Sequence, residues 1–228
     1  MTNYKPTRKS KQAKEKAKLI VEILSKTYPD SKCSLDYTNA YELLVATVLS
    51  AQTTDERVNQ VTPELFKNYP SPKVLSQAQI SDVERILKPI GFYRTKAERI
   101  IKLGSQLVEK YNGEVPDRLE ELVTLSGVGR KTANVVLGNA YNIPGLTIDT
   151  HIGRISRRLG WTKHKDPVKA ESDLAGLLDP LIWTVTCHRL IDHGRNICTA
   201  RKAHCEICPL SELCASAFDL KKIEKAKL

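Results

Sequence analysis

The chain has 228 residues, 41% of them apolar, and carries 36 Lys and Arg against 26 Asp and Glu, a formal charge of +10. That is enough for one large domain or two small ones around a buried core, and no window approaches the roughly 18 uninterrupted apolar residues of a membrane span. The positive balance favours a polyanionic partner, nucleic acid first. The N-terminus lacks the apolar stretch of a secretory signal, so the thiols are expected to stay reduced.

Lys5, Arg8, Lys9, Lys11, Lys14, Lys16 and Lys18 crowd the first eighteen positions, opposed there by Glu15 alone. This basic tail reads as a solvated segment, an arm that touches phosphates, or an import signal. Beyond it helical periodicity runs almost throughout. Leu19, Ile20, Ile23 and Leu24 make one apolar face that stops at Tyr28-Pro29, and Ala40 to Leu49 is apolar on every side, as a buried helix would be. Thr62-Pro63, Ser71-Pro72 and Asp166-Pro167 each put a capping side chain before a proline suited to the first helical position, and Ser81 with Glu84 has capping-box spacing. Stops are predicted at Gly91, Asn112-Gly113 and Gly194, where glycine can close a helix in the left-handed conformation. Strand-like alternation is nearly absent. The prediction is an all-α protein of two helical lobes, divided at Asn142-Ile143-Pro144-Gly145.

In Leu125-Ser-Gly-Val-Gly-Arg-Lys-Thr-Ala133, Gly127 and Gly129 bracket Val128 just before an apolar helix. They suit a tight turn between helices whose exposed amides, with the positive end of the next helix, would hold a phosphate without reading base sequence. No strand precedes the turn, which sets it apart from a dinucleotide fold. Lys131 falls in the first turn after it, where partial burial and the helix's positive end would favour the neutral, nucleophilic amine. A phosphate contact is the plainer reading of Lys131. Asp149 ends a loop ahead of another helical stretch, placed to cap that helix, to face a cleft, or both.

Cys198, Cys205, Cys208 and Cys214 are separated by six, two and five residues. Four-thiolate zinc sites usually pair two Cys-x-x-Cys knuckles, and only Cys205 and Cys208 form one here, so an iron-sulfur cluster is favoured over zinc. Cys33 and Cys187 fall outside the spacing and read as small buried side chains.

Taken together, Leu49 to Asp55, Asn112 to Pro116, Gly127 to Val136, Asp149-Thr-His151, His193-Gly-Arg195 and the four cysteines in order resemble the endonuclease III family of the helix-hairpin-helix superfamily, over nearly the whole chain. The resemblance implies a six-helix barrel over 33–143 with the hairpin at about 119–141, and a helical cluster domain from 1–32 plus 144–228, with DNA in the cleft between them. It implies a bifunctional glycosylase and abasic-site lyase that removes oxidised pyrimidines from damaged duplex DNA. In it Lys131 is the nucleophile, Asp149 assists attack and base departure, and the four cysteines hold a structural 4Fe-4S cluster. Gln52 would fill the gap left by the flipped nucleotide. Phe92 stands where the family usually has a wedging leucine. Gly127, Gly129, Arg130, His151, Arg201 and Lys202 complete the expected DNA contacts. Ser126 replaces a proline common before the hairpin glycines, and is expected to loosen the turn. The implied protein is a monomer in the bacterial cytoplasm, associated with the nucleoid. Two alternatives stay in view: a monofunctional mismatch glycosylase, opposed by Lys131, and a noncatalytic iron-sulfur sensor that binds DNA, opposed by Lys131 and Asp149 together.

Overall fold

The computed structural model describes residues 5–219. In chain order the α-helices are α1 (Lys11–Thr27), α2 (Ala40–Leu49), α3 (Asp55–Asn68), α4 (Pro72–Ser76), α5 (Ile80–Leu87), α6 (Tyr93–Tyr111), α7 (Leu119–Leu122), α8 (Arg130–Ala140), α9 (Thr150–Leu159), α10 (Pro167–Ala175) and α11 (Trp183–Asn196). Three short 3-10 turns follow α10, at Pro180–Ile182, Cys205–Ile207 and Ser211–Leu213. Among the described residues there is no strand, and a single isolated bridge joins Cys198 to Ala203. The all-α prediction therefore holds, and no described helix is long and apolar enough to cross a membrane. The chain divides into two compact units, Cys33–Ile143 and the remainder on either side of it.

In the unit Cys33–Ile143, α2 is the central helix. Leu43, Leu44, Val45, Ala46 and Leu49 have no exposed surface, consistent with its apolar run. Each such leucine stabilises the fold by about 1.5–3 kcal/mol through burial alone. Asn39 caps the helix, its Oδ1 accepting from the Glu42 N–H at 3.0 Å. Around α2 lie α3, α6 and α8. Ser71 caps α4 ahead of Pro72, as its sequence suggests. Thr62-Pro63 does not start a helix: Thr54 caps α3 and Pro63 lies inside it. The buried stripe Val58, Val61, Thr62 and Leu65 runs across the proline, and that burial outweighs a cost of about 3 kcal/mol for the lost backbone bond. Ser81 forms no capping box either, because α5 already begins at Ile80 behind Gln79. Gly91 is not a left-handed stop; Phe92 takes that conformation instead. Asn112 (φ 53°) and Gly113 (φ 83°) do close α6.

The second unit joins the chain's start to its end, with α1 and α9 both packed on α11. The buried face of α1 is Ala17, Ile20, Val21 and Leu24, while Leu19 is 49% exposed, so the apolar stripe is turned from the one predicted. The basic segment is largely ordered: Lys11 to Lys18 belong to α1, Ser10 caps it, and Lys9 pairs with Asp173 at 2.7 Å. The Thr7 N–H donates to Ser172 O at 2.9 Å, fastening the segment further. Met1 to Tyr4 lie outside the described residues. Asp166 caps α10 before Pro167 as predicted. Gly194 does not end a helix: it lies within α11, where a Cβ would meet His151 Nδ1 and Ile155 Cδ1 at 2.9 Å, so glycine there permits close approach of α9.

Candidate active site and cysteine centre

Short α7 and α8 flank a turn in which Val128 is buried while Gly127 and Gly129 are exposed. Val128 anchors the turn and the two glycines present their backbone. Gly127 has φ +76°, and a Cβ on it would lie 2.9 Å from Val48 Cγ1, so both backbone and packing require glycine. Gly129 is the N-cap of α8 and supplies no side-chain acceptor to the helix's first amides. Such a terminus suits an anion. Arg130, half-buried, and Lys131 occupy the first turn. The expected partial burial of Lys131 is not found: its side chain is exposed, because the inward positions of α8 fall to Ala133, Asn134, Val136 and Leu137. Ser126 does not loosen the turn, since its N–H donates to Gln106 Oε1 at 2.7 Å, a bond proline cannot make.

Asp149 is half-buried at the N-cap of α9, and its Oδ1 accepts from the Ile152 N–H at 2.7 Å. His151, two residues on, accepts at Nδ1 from Arg154 Nη2 at 3.3 Å. Burial, opposed by Asp149, keeps His151 below its ordinary pKa, so it is neutral near pH 7.

Gln52 and Phe92 share an unusual backbone. Both are non-glycine residues in the left-handed region, with φ 55° and 57°. Each such position costs of order 1–3 kcal/mol and persists only where its surroundings hold it. Gln52 lies in the turn from α2 to α3 and Phe92 caps the start of α6. Both are exposed, Phe92 by 65%, so neither strained side chain is held by core packing.

All four cysteines of the C-terminal series line one cavity, with Arg158, His193, Ile155 and Leu210. Burial pushes the Cys208 thiol up to about 11, helped by Cys198, Cys214 and Cys205. Arg158 is buried and its Nη1 donates to Cys198 Sγ at 3.1 Å and Thr199 O at 2.9 Å. Its Nε and Nη2 find no partner among the described residues. Arg154 donates to Cys198 O from Nε and Nη2, at 3.2 and 3.0 Å. His193 bridges inward: Nδ1 is 3.2 Å from Tyr28 Oη, and Nε2 is 3.6 Å from Cys208 Sγ. Burial, with Arg154 nearby, brings His193 down to about 4, and burial raises Tyr28 to about 12. A neutral phenol then donates to Nδ1, leaving the Nε2–H for sulfur. Among the described residues no three His, Cys, Asp or Glu side chains converge on a point where one metal ion would sit. Between the first two cysteines the Thr199 hydroxyl donates to Lys202 O and accepts from the Lys202 N–H, tightening a loop on which Arg201 and Lys202 are exposed. His204 pairs with Glu206 at 3.2 Å. Cys187 is buried and Cys33 half-buried, both apart from this group.

A model of the HhH-GPD superfamily of base excision DNA repair proteins matches residues 45–180. The endonuclease III of Synechocystis sp. is 49% identical over 211 residues, 92% of this chain and 96% of that protein. The chain belongs to the endonuclease III family. The Escherichia coli member is 40% identical over 196 residues, 86% of this chain and 92% of its own. Among solved structures, a non-covalent endonuclease III–DNA complex superposes with a TM-score of 0.86 at 41% identity, covering 92% of this chain and 98% of the other. A trapped endonuclease III–DNA covalent intermediate also gives 0.86 at 41%, covering 91% and 98%.

Within this endonuclease III relative, sequence reasoning overlooked Lys96, Arg158 and Tyr28. Lys96 lies four residues before Ile100 and seven before Leu103, on the buried stripe of α6, so its periodicity alone marks it as an inward lysine. Arg158 likewise follows buried Ile155 by three residues. Tyr28 had no such signal, since its partner His193 is 165 residues away.

Proposed function

We propose that this protein is a bifunctional DNA glycosylase and abasic-site lyase of base excision repair, acting on oxidised pyrimidines in duplex DNA. The observation that carries the reading is the hairpin: glycine-capped amides at the head of α8 suit a phosphate, and Lys131 stands exposed one residue into that helix. The family match and the endonuclease III–DNA complexes that share the fold support it.

The damaged nucleotide leaves the base stack, at a cost of a few kcal/mol that is lower for a damaged base. The Lys131 amine attacks C1′, the bond from C1′ to the base breaks, and the base departs with the electron pair and takes up a proton. The carboxylate of Asp149 offsets the positive charge that builds on the sugar. The sugar ring then opens, the C1′–O4′ bond breaking as O4′ takes up a proton, and the Schiff base so formed acidifies the C2′ proton, whose loss expels the 3′ phosphate by β-elimination. Gln52 fills the vacated space and bonds the orphaned partner base, and Phe92 stacks at the other side. Gly127, Gly129, Arg130, His151, Arg201 and Lys202 contact the DNA backbone, placing the enzyme without reading sequence. The work is done on chromosomal DNA, hence in the nucleoid.

The four cysteine thiols fit a 4Fe-4S cluster. They face one cavity, with Arg158 Nη1 already donating to one sulfur and the His193 N–H beside another, the kind of donors that bond to the sulfur of a metal-bound cysteine. A cluster meets each thiolate at a different iron, so its ligands need a shared cavity without meeting at a point. Cys198, Cys205, Cys208 and Cys214 would hold it, and it would supply a structural cross-link within the segment that follows α11.

Borohydride trapping on a duplex with one thymine glycol tests the reading. An adduct from the wild type that Lys131→Ala cannot form, despite binding the same duplex, is expected. Strand cleavage by Lys131→Ala would overturn the assignment. Release of free base without an adduct from the wild type would mark a monofunctional enzyme, and neither product a noncatalytic binder.

A further inference from the structure

We propose that Lys96 is a positioning residue that locks the turns bearing Gln52 and Phe92 to each other. Lys96 is 2% exposed, the sole lysine among the buried charged side chains of the described residues. Its Nζ donates to Thr53 Oγ1 at 3.0 Å, the residue directly after Gln52. Its backbone N–H donates to Phe92 O at 3.0 Å, forming the first hydrogen bond of α6. One residue is thus bonded beside both left-handed positions. Among the described residues no carboxylate pairs with its ammonium, and burial holds its pKa below the ordinary lysine value. A buried cation without a counter-ion is costly, so core packing does not account for a lysine here.

The arrangement answers how two exposed, strained side chains keep their places. The Gln52 turn has no buried residue between Ala51 and Glu56, and Phe92 projects into solvent. Local packing therefore does not fix either turn, and the ammonium bond to Thr53 links them across α6. This rests on the reading of Gln52 and Phe92 as the groups that enter the duplex around the extruded nucleotide. Lys96 itself touches no DNA. It fixes the spacing at which the two groups enter, and misplacement of about 1 Å in such a site can cost about 100-fold in rate.

The test compares Lys96→Met, which keeps the stem and removes the ammonium, with Thr53→Val, Gln52→Ala and Phe92→Ala in the full-length chain. Two substrates separate the possibilities: a thymine glycol duplex, which needs the gap propped open, and a single-stranded abasic site, which has no partner strand and no stack to hold. Lys96→Met is expected to lose about 100-fold in duplex base excision, to trap on the single-stranded abasic site within about twofold of wild type, and to unfold no earlier than wild type. Thr53→Val is expected to mimic it, and the double variant to be no worse than either single one. Equal loss on both substrates would mean a merely structural lysine and would overturn the proposal. So would wild-type duplex excision by Lys96→Met while Gln52→Ala and Phe92→Ala are impaired. If those two variants also excise normally from duplex, the reading of Gln52 and Phe92 itself fails, and with it the need for Lys96 to position them.

Discussion

A Cβ on Gly127 would sit 2.9 Å from Val48 Cγ1, which ties the hairpin turn to the most buried helix of its unit. Val48 is 3% exposed and closely packed, so the valine has little room to yield. With φ at +76°, Gly127→Ala adds a left-handed penalty of about 1–2 kcal/mol to the clash. Gly127→Ala should lower the unfolding midpoint and weaken binding to undamaged and damaged duplex alike, because the turn presents backbone rather than a base-reading side chain. Thermal unfolding and fluorescence anisotropy check it; tighter binding or an unchanged midpoint would show that the turn tolerates another conformation.

Asp149 caps α9, and the proposed mechanism gives it a second, separable role. As the cap of α9 it needs only an acceptor for the Ile152 N–H, which asparagine also provides. As the group that meets positive charge on the sugar it needs a carboxylate. Asp149→Asn should therefore keep the wild-type midpoint while base excision falls by about two orders of magnitude, and Asp149→Ala should lose the same activity plus about 1 kcal/mol of stability. Single-turnover excision with urea unfolding of both variants distinguishes the roles. Full activity in Asp149→Asn would leave a cap and nothing more.

Lys96 predicts a stability profile opposite to its functional value. Burial lowers its pKa from the ordinary 10.5, so the unfolded chain holds this proton to higher pH than the folded one. Between the lowered value and 10.5 the unfolded state binds more protons, and stability from this residue rises with pH. That contribution is fully present above 10.5 and lost as pH falls through the folded value. Lys96→Met should thus unfold at higher urea concentration than wild type at pH 7, with the gap narrowing toward pH 10. A gap that widens with pH would contradict the buried, unpaired ammonium.

Arg158 places its guanidinium 3.1 Å from Cys198 Sγ with almost no solvent exposure. Arg158→Met removes the guanidinium that donates to Cys198 Sγ and leaves Thr199 O without its donor. Iron retention should fall by about 10–100-fold, with Arg158→Lys intermediate. Loss of visible absorbance in the presence of a chelator, followed alongside far-ultraviolet circular dichroism, separates cluster loss from unfolding.

The parts legible in the sequence were those written locally. The apolar run of α2, the Ser71 and Asp166 caps ahead of prolines, and the glycine hairpin before α8 each depend on residues within a turn of one another. Pro63, Ser81 and Gly194 misled because tertiary packing overrode a local signal: a buried stripe carried α3 through its proline, and α9 needed Gly194 for contact rather than for a stop. The exposure of Lys131 was equally a matter of which face of α8 turned inward. The Lys96–Thr53 bond spans 43 residues and the Tyr28–His193 contact 165, and a sequence does not pair such distant polar groups by pattern.

The unit that holds the cysteines is assembled from both ends of the chain, with Cys33–Ile143 contiguous between them. On the ribosome α1 is made first, yet its partner α11 begins at Trp183, so the apolar face of Ala17, Ile20, Val21 and Leu24 waits until most of the protein has been synthesised. The contiguous unit can fold during that interval, at about 5–20 residues added per second. Cys214, the last of the four cysteines, emerges after every helix of the described residues is made, so the proposed cluster could be completed only then. A nascent chain interrupted before α11 therefore carries Lys131 of the hairpin while the apolar face of α1 still lacks the helix it packs on.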